Sequence, residues 1–169
     1  IDPPGINGQS VYNGTADTDN VYGGNDTDTL LGNGGNDILD GGGGPDVVIG
    51  GEGNDRMSDF GGDDVMKGGP GNDAIAGGAG PFDLLQGNEG HDFIVGGNDT
   101  SEVFGGPDND VIYVGKGLSE VYDPRGVVGP SAVLGAGTHF VRRFETLREA
   151  YDLREVERSK NDVKLMTKD

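Results

Sequence analysis

An apolar residue recurs every nine positions along most of this chain. The series runs Tyr12, Val21, Leu30, Leu39, Val48, Met57, Met66, Ile75, Leu85, Ile94, Val103, Ile112 and Val121, with one step of ten between Ile75 and Leu85. At 32% apolar composition, a full series of this kind has a chance probability of roughly four in ten million. The period predicts a short strand in each unit: the middle residue points inward and its two neighbours point outward. Between strands lie six residues rich in glycine, which predict a turn.

The units run in register from Gly5 to Tyr122, thirteen nonapeptides with one extra residue in Gly77–Gln86, near Pro81-Phe82. The first position is Gly in eleven of thirteen, Asp59 and Val114 being the exceptions. The fourth is Gly or Asp, residues that tolerate a left-handed backbone. Two units make one coil with strands on opposite sides. Stacked coils put parallel strands ~4.8 Å apart, so the body is roughly 30 Å long. The fold class expected is all-β: a parallel β-roll of about thirteen nonapeptide repeats.

The sixth position carries chemistry. Stacking sorts it into two columns. One is unbroken: Asp19, Asp37, Asp55, Asp73, Asp92 and Asp110. The other reads Ser10, Asp28, Asp46, Asp64, Asp83, Ser101 and Ser119. Carboxylates one strand spacing apart repel by roughly 3 kcal/mol per pair at an effective dielectric near 20. Only a cation between them makes the arrangement favourable. The charge distribution agrees. Residues 5–122 hold 21 acids and three bases, whereas the remainder holds nine of each. Glycine divides the same way, 31 of 35 lying within that stretch.

Composition alone would read as disorder, because few apolar residues and a net charge of -18 do not offset chain entropy. The repeats and a bound cation change that reading. Carboxylates together with turn carbonyls are the donors of a hard ion, and a flexible oxygen cage suits Ca²⁺ better than Mg²⁺. Counting gaps between stacked aspartates gives eight Ca²⁺ sites, five in the first column and three in the second. At millimolar calcium and a site affinity of ~10–100 µM, each ion stabilises the fold by roughly 1.4–2.7 kcal/mol. Folding and calcium binding are therefore expected to be one event.

The run Gly32-Asn33-Gly34-Gly35-Asn36-Asp37-Ile38-Leu39-Asp40, and its in-phase neighbours, resembles the nonapeptide G-G-x-G-x-D-x-U-x of the RTX (repeats-in-toxin) family, the haemolysin-type calcium-binding repeat. The resemblance covers about seventy per cent of the chain and none of the tail. It implies a right-handed two-sheet roll, calcium as the bound ion, and a secreted, extracellular or cell-surface protein exported by type I secretion.

Other acids read as turn or solvent residues: Asp26, Asp99 and Asp108 at the fourth position, Asp59 in place of a first glycine, and Asp40, Asp63, Glu52 and Glu89 on the surface. Near the end of the body the outward positions become apolar, at Phe104, Val111, Tyr113 and Tyr122. The tail, 123–169, is expected to cap the roll and cover them. Gly126–Gly137 reads as loop, and Thr146-Leu147-Arg148-Glu149 matches a capping box opening a helix from Leu147 to about Arg158. A secretion signal is the alternative role for this tail. Residues 1–4 read as an extension, and a chain opening on Ile1 is expected to belong to a longer polypeptide.

Several classes are set aside. There is no Cys, hence no disulfide framework and no thiolate zinc site. No apolar run is long enough to span a membrane. The negative charge argues against nucleic acid as a partner. His91 and His139 stand alone, and no nucleophile elbow or phosphate loop is present. The expected role is a non-catalytic calcium-responsive folding module; an adhesive surface for a glycan or for ice is the alternative.

Overall fold

In the computed structural model, residues 10–97, 100–113, 119–122, 132–134 and 139–142 are described. They form strands β1 (Ser10–Asn13), β2 (Asn20–Gly24), β3 (Asp28–Gly34), β4 (Ile38–Gly42), β5 (Val47–Glu52), β6 (Arg56–Ser58), β7 (Val65–Lys67), β8 (Ala74–Ala76), β9 (Phe82–Gln86), β10 (Phe93–Val95), β11 (Thr100–Phe104), β12 (Val111–Tyr113), β13 (Ser119–Tyr122), β14 (Ala132–Leu134) and β15 (His139–Arg142). Odd-numbered strands make one parallel sheet of eight and even-numbered strands a second of seven. The result is an all-β parallel two-sheet solenoid of about six turns, with no helix among the described residues.

Register follows the coil. Leu30 pairs with Val48 and Val48 with Met66, eighteen residues apart each time. Across the extra residue the offset grows by one: Met66 pairs with Leu85 and Ile75 with Ile94. The insertion expected near Pro81-Phe82 is thus absorbed between β8 and β9 without shifting any side chain to the wrong face, which a slip within a strand would do.

The core is one residue wide per strand. Val21, Leu30, Leu39, Val48, Met57, Met66, Ile75, Leu85, Ile94, Val103, Ile112 and Val121 are all buried in a single cluster, with Tyr12 packed against its end. These are the eighth-position residues, so Met57 and Met66 serve packing.

Turn geometry follows the expectation in part. The fourth position is left-handed at Gly35 (φ 114°) and at Asp108 (φ 81°), as the turn reading of Asp108 required, but not at Asp17 or Asp26. The second position is left-handed as well, with Asn33 at φ 73° and Asn88 at φ 77° beside its glycines. A polar ladder also runs along the fifth position. Asn36 Oδ1 accepts the N–H of Asn54, Asn54 Oδ1 that of Asn72, and Asn72 Oδ1 that of His91, at 2.7–2.8 Å.

Two expectations for the later part of the chain are corrected. Of the outward apolar residues expected to be covered, Phe104 is buried, at 2% exposure, but Val111 and Tyr113 face solvent at 38% and 46%. Phe104 lies beside Gln86 in register, and Gln86 is buried too, so this stretch of the eight-stranded sheet is covered. Part of Gly126–Gly137 is strand rather than loop: β14 adds to β12, and β15 adds to β13 further along. Both sheets therefore continue past Tyr122. The remaining tail expectations, the helix at Leu147–Arg158 among them, lie outside the described residues, as does the extension at 1–4.

Candidate metal centre

Each sixth-position aspartate opens a strand or immediately precedes one, except Asp83, which is second in β9, and its side chain is turned into the stack. There it binds the backbone of the coil before it. In the first column, the N–H groups of Asp19, Asp37, Asp55, Asp73 and Asp92 donate in turn to Oδ1 of Asp37, Asp55, Asp73, Asp92 and Asp110, at 2.8–3.0 Å. In the second, Ser10, Asp28, Asp46 and Asp64 donate to Oδ1 of Asp28, Asp46, Asp64 and Asp83, at 2.9, 2.7, 2.8 and 3.2 Å. Nine of the ten predicted site residues, Asp19 apart, are at least 97% buried. The structure brings them together in the two columns expected.

In seven of these carboxylates one oxygen is thereby used and the other accepts no hydrogen bond. Oδ2 of Asp28, Asp37, Asp46, Asp55, Asp64, Asp73 and Asp92 is buried and accepts no hydrogen bond. A buried, unsatisfied acceptor costs ~1–3 kcal/mol, and more when charged. A series of them at equivalent places marks a position built for something else.

The first-position glycines show what that position is like. A Cβ on Gly32 would strike Asp37 Oδ2 and the carbonyl oxygen of Gly50. A Cβ on Gly50 would meet Asp55 Oδ2 and, at 2.8 Å, the carbonyl of Gly68. Gly68 and Gly87 repeat the arrangement with Asp73 and Asp92. These glycines are not left-handed, so glycine is present for space rather than for backbone freedom. Each of these four rungs holds a cradle lined by a carboxylate oxygen and a main-chain carbonyl, which any side chain would fill.

Electrostatics agrees. Burial pushes the carboxyls of Asp37, Asp46, Asp55 and Asp64 above their ordinary range. Asp73 is pushed up to about 7 and Asp92 to about 6, first by burial and then by charged neighbours in the same column. Carboxylates in this state are relieved by a proton or by a cation.

The chain matches the family model of the RTX calcium-binding nonapeptide repeat (4 copies) over residues 13–48, 49–81 and 86–117. It belongs to the RTX calcium-binding repeat family. No curated protein and no solved structure matches it.

RTX repeats bind Ca²⁺, and the donor set here fits that ion: hard oxygens only, from carboxylate and carbonyl, with no nitrogen or sulfur. When bound, calcium would neutralise the leftover Oδ2 oxygens. This chain's residues supply the cage and hold each carboxylate by its Oδ1.

Three places depart from the RTX pattern. Asp19, at the head of the first column, is partly exposed. Its Oδ1 accepts the Tyr12 hydroxyl at 3.0 Å, and its Oδ2 accepts the Thr15 N–H at 2.7 Å. These bonds, the Thr15 N–H first, hold its pKa below the ordinary value. Protein donors already satisfy this carboxylate. At the insertion, the nearest atoms to a Cβ on Gly77 would be Leu85 and Asp83 Oδ2 rather than a carbonyl, so that cradle is remodelled.

Asp59 is the third, and it corrects the reading of a solvated turn residue. It is 8% exposed, and its carboxylate lies with those of Asp46 and Asp64, one oxygen of each within 4.8 Å of the others. Burial, then the charge of Asp64, pushes it up to about 8. The signal in the sequence was its place, since it stands where eleven units have glycine, five residues before Asp64. Asp40 is likewise half-buried rather than solvated.

Proposed function

We propose that this chain is a calcium-responsive folding module of a secreted protein, without catalytic activity of its own. Where calcium is scarce the acidic body stays expanded. At millimolar extracellular calcium, about eight ions enter between stacked aspartates and the roll closes. The ligands are Asp37, Asp55, Asp73, Asp92 and Asp110 in the first column and Asp28, Asp46, Asp64 and Asp83 in the second. Asp19 completes the first column as its weakest member, because Thr15 and Tyr12 already occupy its oxygens.

The observation that carries this reading is the set of buried Oδ2 oxygens with no hydrogen-bond partner, those of Asp37, Asp55, Asp73 and Asp92 in the first column and of Asp28, Asp46 and Asp64 in the second. A roll closed without cations would bury those charges against one another. The core, one apolar residue per strand, is too thin to offset that. The test is circular dichroism of the full chain in EDTA, then in millimolar Ca²⁺, with Mg²⁺ at the same concentration as control. Calcium should convert a disordered spectrum into a β spectrum, and magnesium should do much less. A β spectrum already complete in EDTA at neutral pH would overturn the reading.

A further inference from the structure

The repeat is broken inside the described body at Asp59, and the break adds a charge where the pattern removes a side chain. Three facts define the place. Asp59 Oδ1 accepts the N–H of Gly61 at 2.9 Å, which orients the carboxylate. Asp59 Oδ2 is buried and accepts no hydrogen bond, and the same holds for Oδ2 of Asp46 and Asp64. A Cβ on Gly41, the first glycine of the preceding coil, would strike Asp59 Oδ2 and lie 2.8 Å from Asp46 Oδ2. At Gly23, one coil earlier, the same construction meets the Gly41 carbonyl and Asp28 Oδ2. In this rung, therefore, a third carboxylate oxygen enters a cradle that at Gly23, Gly32, Gly50, Gly68 and Gly87 is completed by a main-chain carbonyl.

We propose that Asp59 is a cation ligand that turns the Asp46–Asp64 rung into a three-carboxylate site, the tightest on the roll and the first to take a trivalent lanthanide. Mutual separations within 4.8 Å equal about twice a calcium–oxygen distance, so one ion reaches all three carboxylates. Affinity in oxygen cages rises with the number of charged ligands. Crowding of three buried carboxylates makes the rung the least favourable part of the roll without an ion. Binding there joins the coil at 41–58 to the coil at 59–76, so this rung is where ordering of the second column starts.

The inference rests on the calcium-binding reading, and its test separates the two. Full-length wild type, Asp59→Asn and Asp59→Gly are titrated with Tb³⁺, read by sensitised luminescence, and with Ca²⁺, read by calorimetry. Asn keeps the shape and removes the charge; Gly restores the residue of the motif, so that variant is expected to fold at millimolar Ca²⁺. Wild type should bind one equivalent of Tb³⁺ ahead of the rest. Both variants should weaken that equivalent by about tenfold and leave the remaining Ca²⁺ sites unchanged. A first equivalent unaffected by either substitution overturns the inference, as does tighter binding by Asp59→Gly, which would make Asp59 an obstruction. If wild type binds neither ion, the calcium reading itself fails.

Discussion

Asp55 holds the backbone of Asp37: its Oδ1 accepts the Asp37 N–H at 2.8 Å, one full coil away. The same carboxylate therefore both joins two coils and presents Oδ2 to the cradle beside Gly50. The two roles belong to different oxygens of one side chain, and substitution can separate them.

Asp55→Asn keeps an amide oxygen to accept the Asp37 N–H and loses the negative charge. The expected outcome is a roll that still closes at high calcium, with a folding midpoint shifted about two- to tenfold upward and a lower calorimetric stoichiometry. In chelator the variant should be no less folded than wild type, because a buried charge has been removed. An unchanged calcium midpoint would mean that Asp55 serves only to join coils.

Gly50→Ala tests the cradle. The new Cβ would meet Asp55 Oδ2 and the Gly68 carbonyl, with no left-handed backbone to strain. Overpacking of this kind costs about 1–3 kcal/mol, and the rung should lose its ion. Gly34→Ala is the control, since its Cβ would find nothing nearer than Ala16 Cα at 3.7 Å. It should stay within about 0.5 kcal/mol of wild type. Calcium-dependent melts of both variants decide the matter, and equal effects would refute the cradle.

Much of this was legible in the sequence because one coil is two repeat units, so a nine-residue period in Leu30, Leu39 and Val48 translates directly into alternating sheets. The aspartate columns follow from the same arithmetic. Asp59 was not legible in that way. A departure from the motif reveals a change at the first position, but not that the carboxylate turns inward beside Asp46. The exposure of Val111 and Tyr113 was not legible either, because apolar residues on an outward face do not say which of them, Phe104 or its neighbours, become covered. The strands Ala132–Leu134 and His139–Arg142 carry no glycine-aspartate period, so nothing local announced that they extend the sheets.

The calcium-free chain should respond to acid in the direction opposite to most proteins. In the fold Asp59, Asp73 and Asp92 titrate at about 8, 7 and 6, against an ordinary 3.8. Between those limits the folded state binds more protons than the unfolded chain, so stability falls as pH rises through the window. Circular dichroism in chelator should therefore show more β structure at pH 5 than at pH 8. With calcium present the order reverses, because protons compete for the ligands, and the folding midpoint should move to lower Ca²⁺ as pH rises. A calcium-free chain that unfolds further on acidification would contradict the raised carboxyls.

The rung between Asp64 and Asp83 has the longest bond of the two aspartate ladders, 3.2 Å where the others span 2.7–3.0 Å. These bonds run from coil to coil, along the length of the roll. Tension applied to its two ends passes through the rungs in series, like links in a chain, and a series yields at its weakest link. The extra residue near Pro81-Phe82 thus places a mechanical fuse close to the middle of the molecule. Single-molecule stretching should show the first rupture splitting the roll there, with rupture beginning at either end as the contrary result.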